Sequence, residues 1–218
     1  MAFLIRRSKF DLKNNINTNR NTNNKEMTKK VLTIFGSYVE NGNTHYALEQ
    51  FLKGIQEKYQ IEHHLENVCR NQVEPCHACM ACRSKDELYC SMNDRAFELV
   101  KEIVETDIVI FAFPCYWFHM PAPVKAFLDR MTAFLHNQHG MKPSLKENFK
   151  KKQFICIEVA GGMGLEPAID CLKTISQFLC FKFDSIGFNG CVTHSTFVND
   201  PKMMQDALDF GRKIADQL

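Results

Sequence analysis

No apolar run in this sequence approaches the ~20 residues that a helix needs to cross a bilayer, so no membrane-spanning helix is expected. The GxGxxG fingerprint of a dinucleotide turn is absent, and so is the glycine-rich loop ending in Lys-Ser/Thr that cradles a nucleoside triphosphate. The apolar part of the opening MAFLIRRSKF is too short for a secretory signal. No large excess of one charge is present either, since the net charge is only +2. That excess is local: residues 1–30 hold eight Lys/Arg against two acids, leaving 19 basic and 23 acidic residues in the rest. A mildly acidic body gives no basis for nucleic-acid binding.

What is present is enough for one globular domain. The chain has 218 residues, 45% hydrophobic and 24% charged, close to ordinary folded composition. The first 28 residues, with the Asn-dense run from Asn14 to Asn24, are too poor in apolar residues to offset the entropy of ordering. They are expected to be a disordered extension, with organellar targeting by the basic segment, or a true start at Met27, as the alternatives. Residues 29–218 form the expected domain, with a cysteine-rich insertion at 74–92. Ten cysteines in a chain without a signal point to a reducing compartment such as the cytoplasm, where thiols serve as metal ligands or stay free.

Val31–Phe35, Ile108–Phe113 and, with Glu158 as its one charged residue, Phe154–Ala160 are short apolar runs bounded by Gly or Pro, the pattern of strands buried on both faces. Ile61–Val68 is polar enough for an edge strand, and a fifth strand is expected between Asp184 and Val192, interrupted by Gly187 and Gly190. Five helical patterns with apolar spacings of three and four alternate with these runs, around 47–55, 97–104, 124–135, 169–179 and 204–218. Such alternation predicts an α/β fold: a doubly wound five-stranded parallel sheet with helices on both faces. Ligands bind such sheets beyond the carboxyl ends of the strands.

Three loops at that edge carry suitable chemistry. After the first strand, Gly36-Ser37 and Gly42-Asn43-Thr44 combine backbone N–H groups, hydroxyls and a helix start, which suits a phosphate. Capping of the helix by Asn43 or Thr44 is the plainer reading. After the third strand, Pro114, Cys115, Tyr116, Trp117 and Phe118 put aromatics where polar turn residues are usual, so a flat ligand or a subunit contact should cover them. Next to them, His119 is a candidate ring contact. After the fourth strand, Gly161, Gly162 and Gly164 allow close approach to a planar ligand.

Cys76, Cys79, Cys82 and Cys90 form C-x2-C-x2-C-x7-C. This spacing can wrap an iron-sulfur cubane; zinc and metal-free thiols are the alternatives. The other cysteines fall on apolar faces or strand ends and read as small core residues, apart from Cys115 beside the candidate ligand. His194, beyond the last strand, lies on the ligand side without a visible partner.

These motifs, in this order and together with Lys125 to Arg130 (KAFLDR), resemble the flavodoxin-like family of NADPH-dependent FMN reductases, in particular its iron-sulfur flavoproteins, over roughly residues 30–190. The resemblance implies that Ser37, Gly42, Asn43 and Thr44 hold the FMN phosphate. It places the ring against Pro114, Cys115, Tyr116, Trp117, Phe118, Gly161 and Gly162. It further implies a 4Fe-4S cluster on Cys76, Cys79, Cys82 and Cys90. The implied activity is hydride transfer from NAD(P)H to FMN and onward delivery to a quinone, flavin or other small acceptor, with no catalytic side chain required. An electron carrier fed by a ferredoxin-like donor is the alternative. A homodimer or homotetramer would cover the apolar surface around the ring.

Overall fold

The structure is a computed structural model that describes residues 28–218; the extension expected over residues 1–28 and its targeting reading lie outside the described residues, save Thr28. Five parallel strands form the central sheet: β1 (Thr28–Phe35), β2 (Gln60–Asn67), β3 (Ile108–Pro114), β4 (Gln153–Val159) and β5 (Lys182–Phe188), in the order β2-β1-β3-β4-β5. The runs read as doubly buried are so: every residue of Ile108–Phe113 and of Gln153–Val159 is buried, as are Val31–Phe35. The two polar or interrupted strands take the two edges, where a half-exposed strand loses least.

Six helices cover the sheet. On one face α1 (Asn43–Gln56) and α6 (Pro201–Asp216) enclose a core that includes Phe51, Ile110, Ile157 and Phe210. On the other, α2 (Arg95–Glu105), α3 (Ala122–Arg130), α4 (Pro143–Phe149) and α5 (Glu166–Phe178) flank a core built on Phe111, Phe127, Phe154 and Phe181. Five helices were expected, and α4 is the addition. Its seven residues bury only Leu145 and Phe149, too little to show a helical period. The third apolar pattern is helical to Arg130 only, continuing as a 3-10 turn over Met131–Phe134 before the chain extends. The last strand stops at Phe188, short of the expected Val192.

Helices α1 and α6 cross at two glycines. A Cβ on Gly54 would lie 2.3 Å from the Leu208 carbonyl oxygen, and one on Gly211 would lie 2.1 Å from that of Phe51. Backbone cannot yield as a flexible side chain can, so Gly211→Ala is expected to destabilise the protein by about 3 kcal/mol, the upper part of the overpacking range. Urea unfolding checks this, and a loss within experimental scatter of zero would show that the helices separate freely.

The strand order reverses between β1 and β3, so the ligand-binding crevice of such a sheet opens above their carboxyl ends.

Candidate functional site

The loops after β1, β3, β4 and β5 enclose a pocket of about 190 Å3 at that point. Of the residues expected there, Ser37, Gly42, Asn43, Thr44, Pro114, Cys115, Tyr116 and Gly161 line it. Trp117, Phe118 and Gly162 do not. Val39, Val159 and the run Cys191, Val192, Thr193 and His194 line it as well; among these only His194 was placed on the ligand side by its position in the sequence.

The phosphate end is built from α1. Gly42, not Asn43 or Thr44, is the N-cap, and no side chain caps the helix. Its first-turn N–H groups therefore face the pocket without a side-chain acceptor, the arrangement that attracts an anion. Ser37 and Thr44 are both buried beside it, and the Ser37 hydroxyl accepts from the Val39 N–H at 3.1 Å. The Asn43 side chain is spent elsewhere. Its amide donates to the Thr193 carbonyl at 2.6 Å and accepts from the Phe197 N–H at 2.9 Å, so it ties the loop after β5 to the start of α1. Asn43 can offer a phosphate its backbone N–H, not its amide.

The ring end is built from the loop after β3. The Cys115 N–H donates to the Val159 carbonyl at 2.8 Å, and Tyr116 and His119 exchange two backbone hydrogen bonds across a two-residue turn. Both turn residues, Trp117 and Phe118, have positive φ (50° and 62°), conformations that Asn-Gly adopts readily and bulky aromatics do not. Trp117 is 93% exposed, so packing in this chain does not explain its place. Phe118 lies against Gly164, where an added Cβ would come within 2.5 Å of its ring. Replacing Trp117-Phe118 by Asn-Gly is expected to stabilise the fold by roughly 1–2 kcal/mol while weakening any ligand that stacks on the aromatics. Thermal unfolding and flavin titration together check it; a destabilised double variant would show that the turn is not strained. At Gly161 and Gly162 a Cβ would meet nothing within 4 Å, so the floor there is open to an incoming group.

Beside this pocket, Glu158 is fully buried on β4; neither carboxyl oxygen makes a well-formed hydrogen bond among the described residues, and the adjoining Cys115 thiol is the one weak donor that acts on it. Burial is the main cause that lifts its carboxyl to about 7; the adjoining Cys115 thiol pulls it down and Glu166 pushes it up. The Cys115 thiol is itself raised, by burial first and then by the Glu158 charge.

The cysteine segment forms a second pocket. Cys76, Cys79, Cys82 and Cys90 all line a single cavity of about 30 Å3, together with Arg130. Ala78 and Met80 take positive φ (52° and 61°), which curls the segment back on itself. Arg130, buried at the end of α3, donates to both Asp94 carboxylate oxygens (2.7 and 2.8 Å), to the Glu74 and Met92 carbonyls, and to Cys90 Sγ at 3.5 Å. Lys142, also fully buried, donates to the Cys82 carbonyl at 2.9 Å and to that of Lys85. Two cations thus clamp the segment. The thiol donor set suits an iron-sulfur cluster, but among the described residues no three Cys, His, Asp or Glu side chains converge as metal ligands. All ten cysteines are free thiols.

A sheet of this order, with an uncapped helix start and aromatic and glycine loops around one pocket at its switch point, is the flavodoxin-like class. The chain belongs to the NADPH-dependent FMN reductase family, which it matches over residues 29–179. It is 30% identical over 165 residues to YwqN of Bacillus subtilis, whose name describes an NAD(P)H-dependent FMN-containing oxidoreductase; the match covers 75% of this chain and 83% of that one. It is also 30% identical over 121 residues to an iron-sulfur flavoprotein of Archaeoglobus fulgidus, a match that spans 55% of this chain and only about half (51%) of that relative's length. The fold is that of an azoreductase from Bacillus anthracis, with a TM-score of 0.62 at 15% identity, covering 87% of this chain and all (100%) of that one. No helix among the described residues is long and apolar enough to cross a membrane.

Proposed function

We propose that the protein is an FMN-dependent NAD(P)H oxidoreductase that delivers electrons to a quinone, a flavin or another small acceptor. The observation that carries this is the pocket at the switch point, with an uncapped helix start at one end and an open glycine floor at the other. FMN, when bound, supplies the acceptance of a hydride and its release as electrons. The chain's own part is to hold the phosphate with the α1 N–H groups and the Ser37 and Thr44 hydroxyls, and to line the ring with Pro114, Cys115, Tyr116 and Gly161. Trp117 and Phe118 then shield the ring's outer side, and their exposed surface suits a second subunit of a homodimer or homotetramer. Protein purified with one FMN released per chain on heating, and a flavin that NADPH or NADH bleaches rapidly in a stopped-flow mixer, is the expected result. A flavin that is reduced by ferredoxin and not by either nicotinamide would favour the electron carrier instead.

Cys76, Cys79, Cys82 and Cys90 are inferred to hold a 4Fe-4S cluster, a reading supported by their shared cavity and by the name of the Archaeoglobus relative. Iron and sulfide analysis after anaerobic reconstitution tests it; protein that retains neither, or retains zinc, would end it.

A further inference from the structure

Glu158 interrupts an otherwise apolar strand, and nothing in the fold accounts for it. Its neighbours across the sheet are Phe113 on β3 and Gly187 on β5. Leu165 packs over Gly187, where a Cβ would lie 2.6 Å from it. The carboxyl is fully shielded, no cation or backbone N–H meets either oxygen, and only the weak Cys115 thiol donor bears on it, a cost that a fold removes unless the group has work to do. The groups that act on it are Cys115 at the end of β3 and Glu166 at the start of α5, while Cys156 shares its strand and feels its charge. No cation is among them. Cys115 joins Glu158 to the pocket: the residue is part of the pocket lining, and its thiol donates to the Gly164 carbonyl at 3.3 Å, in the loop that carries Gly161 and Gly162.

We propose that Glu158 is a proton-holding residue beneath the flavin pocket, and that its carboxylate takes up one proton from solvent when negative charge is added to the pocket above it. The proposal rests on FMN being bound there. NAD(P)H gives up a hydride, two electrons and one proton, and leaves as NAD(P)+; the pocket gains one negative charge. A like charge nearby disfavours a carboxylate, so Glu158 binds a proton at Oε and restores the charge balance. Because Glu158 stands near half-protonation around neutral pH, a modest added charge is enough to change its state. It acts on the ring through Cys115 and the glycine loop rather than by touching it, which makes it a positioning residue.

Redox titration of the FMN-loaded protein at a series of pH values, in the wild type and in Glu158→Gln, reads this out. About a unit above pH 7, where Glu158 is largely ionised before reduction, the wild-type midpoint potential is expected to fall more steeply with pH. The excess over Glu158→Gln corresponds to one further proton per two electrons. Identical slopes would overturn the proposal. Should Glu158→Gln not fold, Cys115→Ala serves: the thiol favours the ionised carboxylate, so its loss moves the steep window to higher pH, and an unmoved window counts against Glu158. Infrared difference spectra of the ligand-free protein separate this inference from the functional one. A protonated carboxyl band that titrates near pH 7 and vanishes in Glu158→Gln supports a proton-holding Glu158 even if FMN fails to bind. Absence of the band overturns it whatever binds.

Discussion

Arg130→Ala is expected to lower the unfolding free energy by about 3 kcal/mol, the lower end of the range for removing one partner of a buried ion pair. Arg130 is only 3% exposed, and its guanidinium satisfies five acceptors at once: two Asp94 oxygens, two backbone carbonyls and the Cys90 sulfur. Asp94 is partly solvated and can recover some hydration, which keeps the loss from the top of that range. It is also the N-cap of α2, accepting from the Phe97 N–H at 3.1 Å. Loss of Arg130 therefore frees the cysteine segment and loosens the helix that follows it. Arg130→Lys should recover only a minor part, since an ammonium cannot reproduce the planar fork. Urea unfolding gives the magnitude, and the alkylation rate of Cys90 by mass spectrometry gives the local effect. A variant as stable as the wild type, with Cys90 no more reactive, would show that Asp94 and the carbonyls hold the segment without it.

Removal of the buried carboxyl is the second large change, and its sign depends on pH. The carboxyl is raised from 4.5 to about 7 in the folded protein, so folding binds a proton between those values. The stability that this group contributes is complete below pH 4.5 and is lost as pH rises through about 7. At roughly 1.4 kcal/mol per unit, the loss approaches about 3 kcal/mol. Glu158→Gln should be flat by comparison and the more stable protein above neutrality. His63 works the other way: although the residue is exposed overall, desolvation of its ring, which lies against Thr33, and then the adjoining His64 lower it to about 4, so its contribution grows as pH rises toward 6.5. The difference between wild type and variant cancels His63, and that difference is the quantity to plot. A difference independent of pH would show that Glu158 stays ionised in the folded state.

The parts of the fold legible in the sequence were those where burial is total. Ile108–Phe113 has no exposed side, so its composition alone identifies a central strand. Loops at the strand ends were legible as a group because their chemistry converges on one sheet edge. What stayed hidden depends on contacts between residues distant in the chain. The Asn43 amide meets Thr193 and Phe197, about 150 residues away, and no local pattern separates that tie from a phosphate contact. The same tie brings Thr193 and His194 into the pocket. Gly42 rather than its neighbours caps α1 because its extended backbone is the last before the helix, of which Asn43 is already the first residue. Glu158 passed as a single polar exception within an apolar run; only the structure shows that no donor stronger than the Cys115 thiol meets it. The cysteine spacing was plain, whereas Arg130 beneath it belongs to a helix whose periodicity gave no hint of its neighbours.

The glycine crossing of α1 and α6 bears on the order in which the protein matures. One face of the sheet is complete once β5 has formed, but the other needs α6, which follows every strand among the described residues. As a polypeptide leaves the ribosome from its N-terminus, Phe51, Ile55 and the inner side of β1 must wait for Phe210 and Gly211 to emerge. Loop closure over that separation is slow, and an open apolar sheet face is prone to misassociate in the interval. Nascent chains arrested before Pro201 should therefore be the species that chaperones retain, and release should coincide with the arrival of the last helix.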